Sequence, residues 1–382
     1  MSYHLNVPGD KMQKHLVLVG GGHAHMVTLK NLHSFIRQGH KVTVIGPSKY
    51  HYYSGMGPGM LGKTYTPDDI RFAVEQVVIK QGGNFVLDKV IKIDPVSKSV
   101  FLESGDPITY DVLSFNAGSY VPWDQVDGEQ TDIFSAKPIE TLLKAQERFL
   151  ELISIKKTNV GIVGGGPSSL EIAGNIWQLA SDLGRYMPKI TIFAGSRLMS
   201  RFPERIRKMA YKILRNRGIE IIEQDYSKKV QTGRITLESG AVHEADIIFL
   251  AVGVKPSTIF KESPLPTGPD GGLLVNKYLQ CTEHPEIFGG GDCIYFQDQP
   301  LDKVGVYAVR ENPVLYHNLM ATLEGGELHP FDPGGSYLLI FNTGGGHGIL
   351  GKNSLIFDGR LAFWIKDYID RKFMREFQEM EK

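Results

Sequence analysis

Two short glycine clusters in the 382-residue chain have the surroundings of a phosphate-binding turn. Each cluster, at residues 20–22 and 164–166, follows a run of apolar residues and precedes a helical pattern. A strand, a glycine turn and a helix N-terminus let backbone amides approach a pyrophosphate, and the helix dipole favours its negative charge. One such motif is weakly specific, but two copies in one chain predict two dinucleotide sites, one for a flavin and one for a nicotinamide.

Both copies depart from the usual dinucleotide fingerprint. His25 replaces the third glycine of the first copy, and Gly46 ends the second strand, where an acid commonly holds a ribose hydroxyl. In the second copy Ser169 takes the third small position, and the second strand is followed by Ala-Gly-Ser-Arg at residues 194–197. Because Arg197 has no acid beside it, this copy fits NADPH at least as well as NADH. The alternative is that this half binds a dinucleotide weakly or not at all.

Composition excludes several classes of protein. The chain has 42 basic and 42 acidic residues, so it shows no electrostatic footprint for nucleic acid. Its two cysteines, Cys281 and Cys293, are too far apart for a CxxC pair and argue for a reducing compartment. The first fifteen residues are polar, which argues against a secretory signal, and no apolar run is long enough to span a membrane. We therefore expect a cytoplasmic protein.

The order of apolar runs and helical patterns predicts the α/β class, with two Rossmann-like domains in three layers and a small C-terminal α/β region. We expect an FAD-binding domain at residues 1–138 and 273–330, and an NAD(P)H-binding domain at residues 139–272. Residues 331–382 would form strands and an amphipathic helix. We expect a small antiparallel insert in the first domain and a crossover linker at residues 122–138.

Residues 47–65 are rich in Tyr, Gly, Met and Pro and follow the second predicted strand. One interpretation is a surface loop with aromatic packing. The other is that the segment lines a flavin ring, because glycine and proline can fix an irregular backbone against a flat ligand.

The last predicted helix begins near Leu361 and is amphipathic. Its apolar residues recur at three- and four-residue spacing: Trp364, Ile365, Tyr368, Ile369, Phe373 and Phe377. Its charged residues fall on the other side: Lys366, Asp367, Asp370 and Arg371. We expect the apolar face to dock on the protein body or on a dimer mate. The alternative is a membrane-surface helix that gives access to a quinone.

Six sequence pieces in a fixed order resemble the two-dinucleotide-binding flavoproteins, the pyridine nucleotide-disulfide oxidoreductase-like superfamily. They are GGGHAH, NAGS, GGGPSSLE, AVGVKP, GGGDC and VGVYAVRENP, and the resemblance covers residues 15 to about 330. The chain looks closest to the type II NADH dehydrogenase-like FAD oxidoreductases found alone or fused ahead of selenophosphate synthetase. The motifs at residues 20–25, 53–59, 306–313 and 366–374 carry this closer resemblance. Since no kinase-like domain follows, we expect the stand-alone form.

The resemblance implies which residues hold FAD. They are Gly20, Gly21, Gly22, His23, Ala24, His25, Tyr53, Ser54, Gly55, Pro58, Ala117, Gly118, Gly291, Asp292, Gly305, Val306 and Tyr307. Asp292 would accept a hydrogen bond from a ribityl hydroxyl, with a helix cap or turn as its alternative role. The helix that begins near Gly305 would direct its N-terminal dipole at the flavin pyrimidine and stabilise negative charge on the reduced ring.

The resemblance also implies a nicotinamide site. Its residues would be Gly164, Gly165, Gly166, Pro167, Ser168, Ser196, Arg197 and Gly253. Glu171 matches the acid that lies near flavin and nicotinamide in type II dehydrogenases, where it could position the hydride donor or influence flavin protonation. The alternative for Glu171 is a solvated helical glutamate.

Two departures from the family pattern, and the surroundings of two histidines, restrict the chemistry. Neither cysteine stands where a disulfide reductase or sulfide oxidase has its redox cysteines, which disfavours both activities. The quinone-site pattern of type II dehydrogenases is replaced by other residues at Gly305, Val306, Ala308 and Arg310, which weighs against quinone reduction without excluding it. His23 and His25 adjoin a phosphate turn and have no further ligand cluster, so we expect no metal site.

We therefore expect an FAD-dependent oxidoreductase that moves a hydride from NAD(P)H to flavin and then electrons to a small-molecule acceptor. A quinone is the leading acceptor by resemblance, and a small selenium or sulfur species is the second. The alternative is a flavin-binding redox sensor or interaction module without efficient turnover. We expect no nucleic-acid partner and at most peripheral contact with the inner membrane face through the last helix; the sequence does not predict an oligomeric state.

Overall fold

The computed structural model describes residues 12–184 and 186–382. Most of the polar N-terminal segment that argues against a secretory signal, residues 1–11, lies outside the described part of the chain. The described chain is of the α/β class, as the sequence predicts.

A five-stranded parallel sheet surrounds the first glycine cluster. Its strands, in spatial order, are Ile287–Gly289, Val112–Phe115, His15–Val19, Lys41–Gly46 and Asn84–Leu87. The first strand of the chain lies in the centre, with its neighbours added on opposite sides. The glycine turn that ends this strand therefore lies at the switch point of the sheet, where ligands of open α/β folds bind.

Helices cover this sheet and supply the layer that the predicted fold requires. They are Met26–Lys30, Leu32–Arg37, Val74–Lys80 and Gly305–Glu324, with a 3-10 turn at His23–His25. The helical pattern after the first glycine turn forms two helices, which are divided at Asn31. An antiparallel insert follows the fifth strand of the sheet, as the sequence predicts. Its strands are Val90–Asp94, Ser99–Leu102 and Pro107–Thr109.

A second five-stranded parallel sheet surrounds the second glycine cluster. Its strands, in spatial order, are Ile133–Ser135, Ile247–Leu250, Asn159–Val163, Lys189–Phe193 and Glu220–Ile222. Three helices pack beside it: Glu140–Ile155, Pro167–Leu183 and Glu204–Asn216. A three-stranded antiparallel sheet adjoins it: Ser227–Gln231, Arg234–Leu237 and Val242–Glu244. The prediction of a crossover linker at residues 122–138 is wrong at its C-terminal end, because Ile133–Ser135 is the edge strand of this sheet.

The glycine- and tyrosine-rich residues 47–65 form regular elements and not the surface loop of the first sequence interpretation, while the flavin-lining interpretation stays a prediction. Strand Tyr50–Tyr52 pairs with Arg71–Ala73, and a 3-10 turn and helix Gly57–Leu61 follow. A Cβ at Gly62 would lie 2.6 Å from Asn175 Oδ1 on the next domain. The small residues therefore serve close packing against neighbouring helices, which the sequence pattern does not distinguish from a ligand-facing loop.

Short elements connect the larger ones. Strand Ser119–Tyr120 pairs with Lys255–Pro256, and Leu273–Val275 pairs with Ile294–Phe296. Two 3-10 turns, Asp68–Ile70 and Gly291–Cys293, and the short helix Ile259–Glu262 are further connecting elements. Because Ser119–Tyr120 follows a strand of the first sheet and Lys255–Pro256 follows one of the second, this pairing joins the ligand-side ends of both sheets.

The C-terminal region is a three-stranded antiparallel sheet followed by one helix. The strands are Leu339–Asn342, Gly348–Lys352 and Leu355–Gly359, and the helix is Arg360–Gln378. The sequence predicts two or three strands and this helix. The sheet docks on helix Pro167–Leu183 so closely that a Cβ at Gly174 would lie 2.1 Å from the Thr343 carbonyl oxygen.

Only part of the apolar face predicted for the C-terminal helix packs on the protein body, and the prediction that Lys366 and Asp370 lie on the opposite, outward side is wrong. Trp364 and Tyr368, expected to be on the docking face, are 61% and 54% exposed, whereas Lys366 and Asp370 are 7% and 4% exposed. The charged pair can be buried because its charges neutralise each other and its remaining polar atoms are hydrogen-bonded. Phe377 and Met374 pack inward with it. No helix in the two described ranges is long and apolar enough to cross a bilayer.

Candidate functional site

The first glycine turn forms a backbone cradle against the end of the neighbouring strand. Gly20 has φ +89°, and an added Cβ would lie 2.3 Å from the Asn116 carbonyl oxygen. A Cβ at Gly22 would lie 2.2 Å from Asn116 Oδ1. Glycine is therefore required at both positions for the turn to pass this close to residue 116.

Asn116 holds the cradle together, although the sequence did not single it out. Its side-chain oxygen accepts a hydrogen bond from the Ala24 N–H at 3.2 Å, and its amide donates to the Gly290 carbonyl at 2.8 Å. It thus joins the three segments expected to surround FAD. Its position directly before the predicted Ala117 and Gly118 was the available signal; Gly118 does adopt the left-handed conformation, with φ +67°.

A charged triad lies beside the cradle. Lys137 Nζ lies 2.7 Å from Asp292 Oδ2 and 3.1 Å from Ser119 Oγ, and Ser119 donates to Asp292 at 2.6 Å. Burial alone would raise the pKa of Asp292, but the Lys137 ammonium and the Ser119 hydroxyl hold it below its usual value. Asp292 is therefore an ionised acceptor at neutral pH. Sequence reasoning missed Lys137 because it follows the strand mistaken for linker.

Glu311 is a second buried carboxyl that the sequence did not identify. It lies on helix Gly305–Glu324, is 1% exposed, and accepts a hydrogen bond from the Gly291 N–H. Burial raises its pKa to about 7. The N-terminus of the same helix, at Gly305, lacks a side-chain cap, so its first amides remain available to an acceptor.

The two histidines of the first turn have different surroundings. His25 is fully buried, with Nδ1 2.7 Å from the Gly20 carbonyl and Nε2 2.8 Å from Ser114 Oγ, so its side chain supports the turn from within. His23 stacks on Phe373 with ring centroids 5.4 Å apart, and its Nδ1 lies 3.3 Å from His51 Nε2. His23 Nε2 is buried without a hydrogen-bond partner among the described residues. Burial lowers the pKa of both His23 and His25 to about 4, so both are neutral near pH 7.

The residues present around the first turn fit a pyrophosphate-containing cofactor. The glycine cradle and the uncapped N-terminus of helix Gly305–Glu324 suit the negatively charged part of such a cofactor. The ionised Asp292 suits a hydroxyl group, and the buried His23 Nε2 lacks a hydrogen-bond partner in the described structure. Ser54 and Gly55 are partly accessible, whereas Pro58 is buried inside helix Gly57–Leu61.

Cys293 follows Asp292 and packs in the core. It is fully buried, and burial raises the pKa of its thiol to about 12. Its Sγ lies 3.3 Å from the Gly290 carbonyl. Such a thiol is unreactive near neutral pH.

The second glycine turn repeats the cradle in a more open form. A Cβ at Gly164, which has φ +131°, would lie 2.2 Å from the Ala251 carbonyl oxygen. A Cβ at Gly166 would meet nothing within 4 Å. Pro167 begins the following helix, Ser168 is exposed and Ser169 is fully buried with its Oγ lacking a partner in the described structure.

The other predicted nicotinamide-site residues lie at the ends of the adjacent strands. Ser196 and Arg197 are exposed just beyond strand Lys189–Phe193, and a Cβ at Gly165 would lie 3.0 Å from the Arg197 carbonyl oxygen. Gly253 follows strand Ile247–Leu250 and has φ +94°. The structure therefore brings the predicted residues of this site to one edge of the second sheet.

Glu171 lies one turn into the helix behind the second glycine cluster, and it is not a solvated glutamate. Its Oε1 accepts a hydrogen bond from the Asn342 N–H at 2.8 Å. Burial raises its pKa from 4.5 to about 7, against the opposing influence of the Lys366 ammonium. The alternative interpretation from the sequence is therefore wrong.

The C-terminal helix connects Glu171 to the segment before helix Gly57–Leu61. Lys366 Nζ lies 2.7 Å from Asp370 Oδ2 and donates to the Gly55 carbonyl at 2.9 Å. The Tyr53 hydroxyl donates to Asp370 Oδ1 at 3.1 Å. Tyr53 and Gly55 were expected to contact FAD, so this helix braces part of the predicted cofactor site.

Comparison with known proteins gives the family. Residues 14–320 match the family described as pyridine nucleotide-disulphide oxidoreductase. The NADH dehydrogenase-like protein YutJ of Bacillus subtilis is 25% identical over 292 residues, which cover 75% of this chain and 78% of that protein. The type II NADH:quinone oxidoreductase of Staphylococcus aureus is 24% identical over 355 residues, which cover 84% and 85% of the two chains.

Solved structures share the fold. The structure of NDH2 from Plasmodium falciparum in complex with NADH superposes with a TM-score of 0.81 at 14% identity, covering 96% of this chain and 98% of that one. The sulfide:quinone oxidoreductase of Aquifex aeolicus superposes with a TM-score of 0.79 at 18% identity, covering 96% and 92%. The α/β fold class predicted from the sequence is confirmed.

Proposed function

Because the chain belongs to the pyridine nucleotide-disulphide oxidoreductase family, we propose that it passes electrons from NAD(P)H through FAD to a membrane quinone. The broader part of this function follows from the family: the protein is an NAD(P)H-dependent flavin oxidoreductase with FAD as its cofactor. The predictions of an enzyme and of both cofactors are thereby confirmed. The quinone is the part that we propose.

The observation that carries the proposal is the joining of two dinucleotide cradles at their open ends. Ser119 and Tyr120 extend from the first sheet and pair with Lys255 and Pro256, which extend from the second. Both glycine turns therefore lie on the same side of the molecule, one on each sheet. This arrangement suits the meeting of two bound dinucleotides.

The residues of the first cradle would hold FAD, and those of the second would hold the nicotinamide dinucleotide. The turn at residues 20–22 would bind the FAD pyrophosphate, and Asp292 would accept a hydrogen bond from a ribityl hydroxyl. The N-terminus of the helix that begins at Gly305 would stabilise negative charge on the flavin. The turn at residues 164–166 would bind the second pyrophosphate. When bound, FAD supplies the hydride-accepting and electron-donating chemistry.

Glu171 would hold a proton for the acceptor. Its pKa of about 7 leaves the carboxyl partly protonated at neutral pH. Since Oε1 accepts a hydrogen bond from the Asn342 N–H, Oε2 is the oxygen that would carry the proton. Quinone reduction takes up protons with the electrons, so a carboxyl titrating near pH 7 suits a general acid.

A quinone acceptor is supported by the names of the relatives and by the exposed face of the C-terminal helix. Leu361, Trp364, Tyr368 and Ile369 are exposed apolar side chains on this one helix. An amphipathic helix with aromatic residues on its apolar face can lie in a membrane interface, where quinones reside. We therefore propose peripheral attachment to the cytoplasmic membrane face through these four residues.

The electron path is tested by mixing FAD-loaded protein anaerobically with NADH or NADPH and following the flavin absorbance at about 450 nm. We expect rapid bleaching by at least one donor, followed by recovery of the absorbance when a water-soluble ubiquinone analogue is added. Bleaching without recovery would contradict the proposal that a quinone is the electron acceptor. No bleaching by either donor would contradict the whole proposal.

The membrane contact is tested with a Trp364→Ser, Tyr368→Ser double variant in flotation with anionic phospholipid vesicles. We expect the wild type to float with the vesicles and the variant to remain in solution. Its thermal stability should stay within about 0.5 kcal/mol, because both side chains are exposed. Tyr186→Ser, at an aromatic residue 60% exposed on the second domain, is the control. Equal flotation of all three proteins would contradict this contact.

A further inference from the structure

The segment between strand Lys189–Phe193 and helix Glu204–Asn216 is positively charged. Residues 194–203 contain Arg197 and Arg201 and no aspartate or glutamate. This is the place where dinucleotide-binding domains present a carboxylate to the ribose 2′-hydroxyl of NADH, or an arginine to the 2′-phosphate of NADPH.

The segment is held directly against the second glycine turn. A Cβ at Gly165 would lie 2.6 Å from the Ala194 carbonyl oxygen, and the Met199 N–H donates to the Gly165 carbonyl at 2.6 Å. Gly195 has φ +67°, and Gln224 Nε2 donates to the Ser196 carbonyl at 2.6 Å. The backbone that carries Ser196 and Arg197 is therefore fixed next to the pyrophosphate turn.

The Arg197 side chain is accessible and only weakly paired. It is 54% exposed, and its guanidinium lies 3.8 Å from Glu204. Glu204 makes its closer ion pair with Arg207, whose side chain is 7% exposed. A phosphate could therefore replace the distant Glu204 as the partner of Arg197 at little cost.

The nearest carboxylate on the adjacent strand end is already engaged. Glu223 accepts a hydrogen bond from the Leu198 N–H at 2.6 Å. Burial and the neighbouring Glu223 raise the pKa of Tyr211 to about 12, which keeps that hydroxyl a donor to the carboxylate. These bonds fix Glu223 to the loop backbone and away from the role of a ribose acceptor.

We propose that the physiological donor is NADPH and that Arg197, assisted by the Ser196 hydroxyl, binds its 2′-phosphate. This inference rests on the proposed use of the second glycine turn as the nicotinamide site. The guanidinium can bind a phosphate with two parallel hydrogen bonds. The segment offers no matching carboxylate for the 2′-hydroxyl of NADH, so it both favours NADPH and lacks the hydrogen-bond acceptor that would favour NADH.

The inference is tested by calorimetric titration of the FAD-loaded protein with NADP⁺ and NAD⁺, and with 2′,5′-ADP and 5′-AMP, two pairs that differ only in the 2′-phosphate. We expect the 2′-phosphorylated member of each pair to bind about tenfold tighter or more, as a charge-assisted hydrogen bond implies. Raising the salt concentration should reduce this difference.

Three variants locate the effect. Arg197→Gln should weaken NADP⁺ binding by about tenfold or more and leave NAD⁺ binding within about twofold. Arg234→Gln removes an exposed guanidinium from a strand of the same domain and should change neither. Ala194→Asp introduces the absent acid and should shift the preference toward NAD⁺.

The inference is overturned if the wild type binds NAD⁺ as tightly as NADP⁺, or if Arg197→Gln weakens both dinucleotides equally. Either result would leave the proposed function intact, because that function requires only that NADH or NADPH bleach the flavin, which is measured separately. Failure of both dinucleotides to bind would overturn the proposed function and this inference together.

Discussion

The two glycine turns have the same backbone design but differ in enclosure. Glycine is sterically required at Gly20 and Gly22, both packed on Asn116, and the buried groups of Asp292 and Glu311 lie alongside. At the second turn an added Cβ on Gly166 would meet nothing within 4 Å. The following Ser168 and the nearby Arg197 are exposed.

This difference indicates different duties for the two sites. A cradle closed by buried polar groups suits a cofactor that stays bound through many turnovers. A cradle open to solvent suits a dinucleotide that must enter and leave in each cycle. We therefore expect changes at the first turn to affect cofactor retention and stability, and changes at the second to affect donor binding.

The largest effect is expected from Gly20→Ala. The substitution forces an alanine to φ +89° with its Cβ 2.3 Å from a backbone oxygen. We expect destabilisation by about 3 kcal/mol and purification without bound FAD, measured by urea unfolding and by absorbance of the purified protein. A stable, FAD-loaded Gly20→Ala protein would contradict the enclosed character of this turn.

Lys137→Met tests the charged triad of the enclosed turn. It leaves the Asp292 carboxylate, whose side chain is 12% exposed, without its ammonium partner. We expect destabilisation by about 3 kcal/mol and weaker FAD retention, measured by urea unfolding and by FAD released on dialysis.

Lys156→Met is the matched control for Lys137→Met, because Lys156 pairs with Asp246 but is 53% exposed. It should cost less than about 1 kcal/mol. Equal losses in the two variants would show that burial does not distinguish the two ion pairs.

Glu171→Gln tests the carboxyl behind the second glycine turn through the pH dependence of the free energy of unfolding. Wild-type stability should fall between about pH 4.5 and pH 7 through this group, because the unfolded chain releases a proton there that the folded chain retains. The variant lacks this contribution, so its free energy of unfolding should fall less, or rise more, with pH by up to about 1.4 kcal/mol per pH unit.

The measurement for Glu171→Gln is urea unfolding at several pH values across that window, with Glu151→Gln as control because Glu151 is 64% exposed. Parallel pH dependence of wild type and Glu171→Gln would show that Glu171 titrates normally.

The smallest effect on stability is expected from Gly166→Ala. Gly166 has φ −92°, and its added methyl group would lie in open space, so the melting temperature and the FAD content should not change. Dinucleotide binding should weaken by about tenfold, because the methyl group occupies the approach of the pyrophosphate. Loss of FAD in this variant would break the proposed division of duties.

Much of the fold could be predicted from the sequence, because it depends on local patterns. Apolar runs before glycine clusters gave both central strands, His15–Val19 and Asn159–Val163. The positive φ of Gly20 and Gly164 explains why glycine stands at these turns. The family and both cofactors followed from the order of these motifs and are confirmed.

Tertiary structure decided which polar residues are paired with one another and which of them are buried. Asn116, Lys137 and Glu311 join segments far apart in the chain, so no local pattern could identify them. The same reason explains the C-terminal helix: Lys366 is buried because Asp370 and the Gly55 carbonyl accept its hydrogen bonds, and Trp364 and Tyr368 on the apolar face remain exposed. Periodicity reports the two faces of a helix, but the side that packs inward depends on the partners that the rest of the chain supplies.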